Sequence, residues 1–382
     1  MEIKELGDVL ELQRGYDLPH SEMNEGIVPV AGSNGIIGYH DVAKLQPPCI
    51  TIGRSGSVGK LHRYNVPVWP HNTSLFISDF KGNDDKYLFY LLKTIDFNKV
   101  CDSSVIPSLN RNFVYPIKIY FETDVKKQKK IASVLSALDD KIALNKKMNQ
   151  KLEAMAKRLY DYWFVQYDFP DKNGHPYKTT GGPMIYNPTL KREIPVGWEV
   201  KSLFDCSDVL YGFPYATEPF DEENLDTSTK PYPVIRIRDI KDNTISAKTT
   251  ETVDNKYRTK VNDLLIGMDG YFHMSFWPRN DDYVNQRITR IRQKELSVMV
   301  IYHQIAPFIK FKEDQAKGST VGHLSDKDMK QINILVPNNL RLSEKFDGIL
   351  NLITKNKREI YRLTKLRDKL LPLLMNGQVV VG

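Results

Sequence analysis

From Ile131 onward the chain places apolar residues at alternating spacings of four and three: Ile131, Leu135, Leu138, Ile142, then Leu152, Ala156, Leu159 and Trp163, with Asn145 and Asn149 on the same stripe. That period is a coiled-coil seam, and it predicts one long helix over 123–165. Thr123-Asp124 suits the capping of its start. A second stripe, Phe346, Ile349, Ile353, Ile360, Leu363, Leu370 and Leu374 with Asn356 and Arg367 on it, predicts another long helix over 340–376 that stops at Asn376-Gly377. Asparagine in a seam costs stability but fixes register, so the two stripes read as partners for each other. Elsewhere the apolar runs are short and β-rich, as in "PPCITIG" and "YPVIRIRDI", with turn residues between them and a helical segment near Tyr87–Asn98. Residues 166–195 are dense in Pro, Gly, Asn and Thr without a period, which reads as a linker.

The pattern occurs twice. Leu6, Asp8, Gly15 and Tyr16 line up with Leu203, Asp205, Gly212 and Phe213, and Pro29-Val30 with Pro233-Val234. Ile52-Gly53 followed by Gly56 matches Ile266-Gly267 followed by Gly270. "SVIPSLNRNFVYPIKIY" (104–120) parallels "STVGHLSDKDMKQINILV" (319–336), pairing Leu109, Ile117 and Ile119 with Leu324, Ile332 and Ile334. The offset drifts from about 197 to about 215, as loop insertions in the second copy would cause, and two copies are too few for a solenoid. The expectation is an α+β protein with two similar globular units, 1–122 and 196–339, each followed by its long helix.

Composition narrows the classes. At 382 residues the chain can bury two cores. No apolar run approaches the roughly 18 residues of a membrane span, and no signal peptide opens the chain. Cys49, Cys101 and Cys206 are odd in number and lack a CxxC pair, which favours a reducing cytoplasm over a disulfide or zinc framework. The net charge is +7, but it is uneven. Residues 126–163 hold ten Lys/Arg against four Asp/Glu and 343–375 hold eight against four, a net +10 that leaves about −3 for everything else. Globular units of that balance would bind a polyanion through local clusters, or with a partner completing a basic channel.

Catalytic patterns fail one by one. "GRSGSVGKL" (53–61) resembles a phosphate loop, but Gly53 and Gly59 are one residue too far apart and Leu61 replaces the Ser/Thr that would hold Mg²⁺. It reads either as a tight turn or as a turn offering backbone N–H groups to a nucleic-acid phosphate. Pro170-Asp171 would start a nuclease-like carboxylate pattern, but it has no suitable strand. There is no HExxH, no ligand spacing among the eight His, no NPPY-type methyltransferase motif and no S-adenosylmethionine loop. The expectation is a non-catalytic chain with no metal or cofactor of its own.

Recognition chemistry remains. Arg, Lys, Asn and Gln read base edges and grip phosphates, and loops on a rigid scaffold are where such readout sits. In the first unit the candidates are Arg14, Tyr16, Asn34, Arg54, Ser55, Lys60, His62, Arg63, His71, Asn72, Asn110 and Arg111. In the second they are Tyr211, Tyr215, Arg236, Arg238, Tyr271, His273, Trp277, Arg279, Asn285, Gln286, Arg287 and Lys317. Each also reads as an ordinary solvated loop residue. A coiled-coil scaffold whose end domains bind protein is the rival reading.

Taken together, "IPVGWEVKSL", "ITIGRSGSVGK", "YPVIRIRDI", the paired "SVIPSL" and "STVGHL", and above all "KKQKKIASVLSALDDKIALNKKMNQKLEAMAKRLYDYWF" resemble the specificity subunit of type I DNA restriction–modification systems over essentially the whole chain. The helix entries depart from that family's Pro-Pro-Glu-Gln: "FETDVKKQKK" keeps only the Gln, and "VPNNLRLSEK" keeps none. The resemblance implies two target-recognition domains, each reading half of a bipartite DNA site, separated by two long antiparallel coiled-coil helices. It further implies that two methyltransferase subunits dock on those helices and that restriction subunits join later. S-adenosylmethionine would then belong to the methyltransferase, ATP and Mg to the endonuclease, and the whole to the cytoplasm of a bacterium or archaeon. A helix of about 38 residues spans roughly 57 Å, which would set two half-sites about one to one and a half DNA turns apart.

Overall fold

The computed structural model describes residues 1–100, 108–219, 231–316 and 322–381. Lys317 and the openings of the two paired elements, 104–107 and 319–321, lie outside these. The chain forms two compact units, Met1–Ile142 with Arg362–Gly382, and Ala143–Tyr361.

In unit 1, β1 (Glu2–Glu5) pairs antiparallel with β9 (Lys118–Phe121). An antiparallel sheet runs in the order β2 (Glu11–Arg14), β8 (Ser74–Asp79), β5 (Cys49–Gly53), β6 (Leu61–Tyr64). A second sheet runs β4 (Gly35–His40), β3 (Val28–Gly32), β7 (Trp69–Pro70), with β3 and β7 parallel. Every residue of β5 is buried, which is why "CITIG" reads as a continuous apolar run rather than an alternation. Helices α1 (Leu6–Val9), α2 (Asp85–Lys93) and α3 (Arg111–Val114) close the unit. Asp84 caps α2 by accepting from the Tyr87 N–H, and Tyr87, Leu88, Leu91 and Leu92 on its buried face pack on Ile50 and Ile52.

Unit 2 repeats this plan. Strand β12 (Glu199–Ser202) pairs with β21 (Asn333–Val336). One sheet runs β13 (Ser207–Tyr211), β20 (Ile288–Gln293), β17 (Leu264–Gly267), β18 (Met274–Phe276). The other runs β14 (Glu218–Pro219), β16 (Ala247–Thr249), β15 (Tyr232–Ile235), β19 (Tyr283–Val284), with β15 and β19 parallel. Short helices α5 (Leu203–Cys206), α6 (Ile237–Ile240) and α8 (Asp326–Lys330) accompany them, and α7 (Val298–Ala316) occupies the place of α2 with twice its length. Gly15 and Gly212 are equivalent and necessary: a Cβ at either would overlap the carbonyl oxygen of His71 or Asn285.

The long helices are α4 (Val125–Tyr160) and α9 (Arg341–Met375). Asp124 caps α4 by accepting from the Lys126 N–H. Gln128, in the first turn of α4, is fully buried and ties this start to unit 1. It accepts from the Asp84 N–H at 2.9 Å and donates to Asn83 and the Glu122 carbonyl. Within unit 2 the two helices are antiparallel in register: Asn145 donates to Glu359 at 3.0 Å, and Asn356 donates to Asn149 at 2.8 Å. Asn149 in turn donates to the Ile353 carbonyl, so the seam asparagines are buried and partnered. Within unit 1 the same pairing is apolar and ionic. Ile131 and Leu135 share a core with Leu370 and Leu374, and Arg367 donates to Asp139 at 2.7 Å. Of the expected seam, Leu138, Leu152, Leu159, Ile360, Leu363 and Leu370 are half-buried, while Ile142, Phe346 and Ile353 are buried.

Residues 166–195, expected as a linker, carry structure of their own. Strands β10 (Met184–Asn187) and β11 (Arg192–Pro195) form a hairpin. Phe169 stacks on Tyr177 at 4.6 Å and on Trp198 at 4.9 Å. Aromatics spaced irregularly leave no period, yet here they build a core, which is why pattern alone did not show it.

Candidate nucleic-acid interface

Equivalent backbone bonds build the same turn in each unit. In unit 1 the Gly53 N–H donates to the Lys60 carbonyl, Arg54 to Thr73, and Leu109 to Arg54, the last at 2.8 Å. In unit 2 Gly267 donates to His273, Met268 to Arg287, and Leu324 to Met268, again at 2.8 Å. Ser55 faces Ser108 across an isolated antiparallel bridge, as Asp269 faces His323. Leu109 and Leu324, the repeated residues of the paired elements, are both fully buried and anchor these bridges.

Six of the backbone donors in the turn at 53–60 are occupied. The N–H groups of Gly53, Arg54, Ser55, Ser57, Gly59 and Lys60 bond to carbonyls within unit 1, which makes the turn tight.

Beside the turn in unit 1 lies a cleft of about 570 Å³ lined by Gln13, Arg14, Arg54, Ser108, Asn110 and Arg111, with Glu11 and the buried Leu75 and Leu109. Three of the expected arginines therefore meet in one place. Arg111 is held by the Leu12 carbonyl at 3.2 Å, and Asn110 caps α3 by accepting from the Asn112 N–H. Asn34 and Lys60 pair with each other at 2.6 Å. Burial, and secondarily the Lys60 ammonium, holds the His62 imidazole below the usual histidine value, and burial does the same to His71. Both are therefore neutral donor–acceptor rings near pH 7 rather than cations.

Others have internal work. Arg63 lies in β6, not in a loop, and forms a fork to Asp85 at 2.6 and 2.7 Å. Tyr16 stacks on Phe76 beside Trp69, and Asn72 donates to Asp17.

Unit 2 has a cleft of about 630 Å³ lined by Arg236, Arg238, Asp269, Tyr271, His273, Asn285 and Arg287, with Ile237 and Gly270. Tyr271 is 69% exposed and stacks on His273 at 5.8 Å, offering a flat apolar wall. Arg236 donates to Thr217 and Arg238 to Ser246. Arg287 Nε lies 3.3 Å from Asp269. Tyr215 is buried against Tyr283, Tyr211 donates to Asp326, and Trp277 is fully buried. Arg279 is sandwiched between Trp277 and Tyr361 and bonded to Asp282, so it braces the unit instead of facing the cleft. Gln286 is exposed, its N–H bonded to the Phe213 carbonyl.

Sequence reasoning missed Gln13, Ser108, Asp269 and His323. The signal for Asp269 was present: it stands two residues after Gly267, as Ser55 stands two after Gly53. Among the described residues no group of His, Cys, Asp and Glu is arranged to hold a metal ion, and no helix is long and apolar enough to cross a membrane.

Comparison with known proteins matches residues 1–154 and 195–360 to the family described as type I restriction modification DNA specificity domain. The type I restriction enzyme MjaIX specificity subunit of Methanocaldococcus jannaschii is 26% identical over 78% of this chain and 70% of its own. The HindI specificity subunit of Haemophilus influenzae is 23% identical over 77% of each. The crystal structure of a type I restriction–modification S subunit from M. genitalium superposes with a TM-score of 0.61 at 17% identity, covering 98% of this chain and 96% of that one, which shows a shared fold.

Proposed function

The chain belongs to the type I restriction–modification DNA specificity family, and from that premise we propose that it is a subunit that reads a bipartite duplex, one half-site per unit. The observation that carries this reading is the pair of arginine-lined clefts, each set beside an equivalent turn and each furnished with different side chains. Equivalent frames suit the same duplex geometry, and different side chains suit different sequences. The basic helices α4 and α9 then dock two methyltransferase subunits and set the gap between half-sites. In this reading methyl transfer from S-adenosylmethionine, with the adenine flipped out, and ATP- and Mg-dependent cleavage by a restriction subunit belong to partners. The chain alone catalyses nothing.

Exchange of residues 1–122 for the same region of another family member, followed by sequencing of methylated sites, tests it. The expected result is a change in one half of the methylated motif only. A change in both halves overturns the assignment of one half-site to each unit. Insertion of one heptad into both α4 and α9 adds about 10.5 Å and should lengthen the gap by about three base pairs with both halves intact. Methyl transfer by the purified chain without partners would overturn the non-catalytic reading.

A further inference from the structure

In unit 2 the carboxylate of Asp269 stands between two side chains, with Oδ2 3.3 Å from Arg287 Nε and Oδ1 2.6 Å from His323 Nδ1. All three residues are pinned through the backbone. Asp269 and His323 face each other across their bridge, Gly270 donates to the Gly322 carbonyl, and the Arg287 carbonyl accepts from Met268. Asn285 Oδ1 accepts the Arg287 N–H, fixing the start of the turn that carries it. The Arg287 side chain is 55% exposed at the cleft, whereas Asp269 is 27% exposed.

An arginine whose Nε is ion-paired with a carboxylate keeps terminal N–H groups for a ligand and has part of its freedom already restricted before the ligand arrives. Its fork matches guanine O6 and N7. The carboxylate also decides against the alternative partner. A negative charge 3.3 Å from the guanidinium opposes a phosphate, which depends on net charge, but leaves the directional donors that a base edge needs. We infer that Arg287 reads a guanine in the half-site taken by unit 2 and that Asp269, locked by His323, is its positioning residue, an assignment that rests on the DNA-reading function proposed above.

Unit 1 supplies an internal control. The carbonyl of Thr73 accepts from Arg54 as that of Arg287 accepts from Met268, and Ser55 and Ser108 occupy the places of Asp269 and His323. The frame is the same, but Thr73, Ser55 and Ser108 carry only hydroxyls, so the carboxylate-paired arginine of unit 2 has no counterpart at these three positions.

The test uses the full chain assembled with its cognate methylation subunits and a randomised duplex library, comparing wild type with Arg287→Ala, Arg287→Lys and Asp269→Asn. Wild type should select one guanine that both Arg287 variants lose, with discrimination at that base pair falling roughly 10- to 100-fold and the other positions unchanged. Asp269→Asn should weaken discrimination at the same pair by a smaller factor without lowering binding to random duplex. A merely structural role for Asp269 would weaken all positions together. Arg287→Lys keeps the charge, so retention of the full motif by Arg287→Lys, with a uniform loss for Arg287→Ala, would mean a phosphate contact and overturn the assignment. Variants that read the wild-type motif unchanged overturn this inference alone. A wild-type assembly with no sequence preference overturns the DNA-reading function and this inference with it.

Discussion

The turn after β5 and the turn after β17 are held by the same backbone bonds, yet one presents Ser55, Ser108 and Thr73 and the other Asp269, His323 and Arg287. The same contrast recurs between the helices. In unit 1 the pairing of α4 with α9 centres on Asp139, which accepts from Arg367 at 2.7 Å and Tyr90 at 2.8 Å with Lys93 at 3.5 Å. In unit 2 it centres on carboxamides, Asn149 with Asn356. Backbone hydrogen bonds and buried leucines are indifferent to what an exposed neighbour carries, so duplication preserves them while surface and seam chemistry diverges. The frame is common and the content is separate.

Equivalence is broken most directly at its buried anchors. Leu109→Ala and Leu324→Ala should each destabilise their own unit by about 2–5 kcal/mol, because each deletes a fully buried side chain beneath a bridge. Hydrogen exchange of the two units should show the losses to be similar and confined to the mutated unit. A large loss at one and none at the other would show that the frames are not equivalent.

The seams should part company in acid. Burial pushes the Asp139 carboxyl up, but its bond from Arg367, with Lys93 and Tyr90, outweighs this and leaves it below the usual value. A depressed carboxylate contributes stability above its unfolded value of about 4, and loses it as the pH falls through its folded value. Asp139→Asn should therefore cost roughly 1–3 kcal/mol at neutral pH, and the difference from wild type should vanish in acid. Asn356→Ala should cost a similar amount without that pH dependence. Chemical denaturation at several pH values distinguishes them, and a pH-independent effect at Asp139 would refute the ionic account.

A second acid effect, in a higher pH window, belongs to unit 2. Burial, with the Lys157 ammonium adding to it, brings His303 down to about 4, where it stacks on Tyr160 at 5.1 Å. Between that value and 6.5 the unfolded chain binds more protons than the folded one, so stability falls as pH drops from about 6.5 to 4. His303→Phe should flatten the stability profile of unit 2 in this window and leave unit 1 unchanged. Persistence of the slope in the variant would assign it to other groups.

The smallest effect separates two arginines of one unit. Arg63→Ala should cost about 1 kcal/mol of stability through loss of its fork to Asp85, and leave the affinity for DNA unchanged. Arg54→Ala, at the cleft, should leave stability nearly unchanged and weaken binding. If Arg54 grips a phosphate the loss should be even across all sequences, with a shallower salt dependence. If it reads a guanine the loss should fall on one base pair. Loss of binding without loss of stability at Arg63 would reverse their roles.

The sequence by itself determined the long helices, their asparagine-bearing seams, the duplication and the family, because each of these is written in a period or in an ordered string of residues. A seam needs only spacing, and Asn356 meets Asn149 because antiparallel helices in that register bring the two buried carboxamides together. Residues 166–195 were not legible in this way, because aromatics such as Phe169 and Trp198 meet through folding and not through spacing. The clefts were legible only in part. Arg14, Arg54 and Arg111 were nameable as types, but their convergence is a product of three separate elements. Arg63 and Arg279 look the same in sequence, yet Asp85 in one case, and Trp277 with Tyr361 in the other, turn them inward. Whether an arginine faces a ligand or braces a fold depends on which carboxylate or ring lies within about 5 Å, and that distance is set by tertiary packing alone.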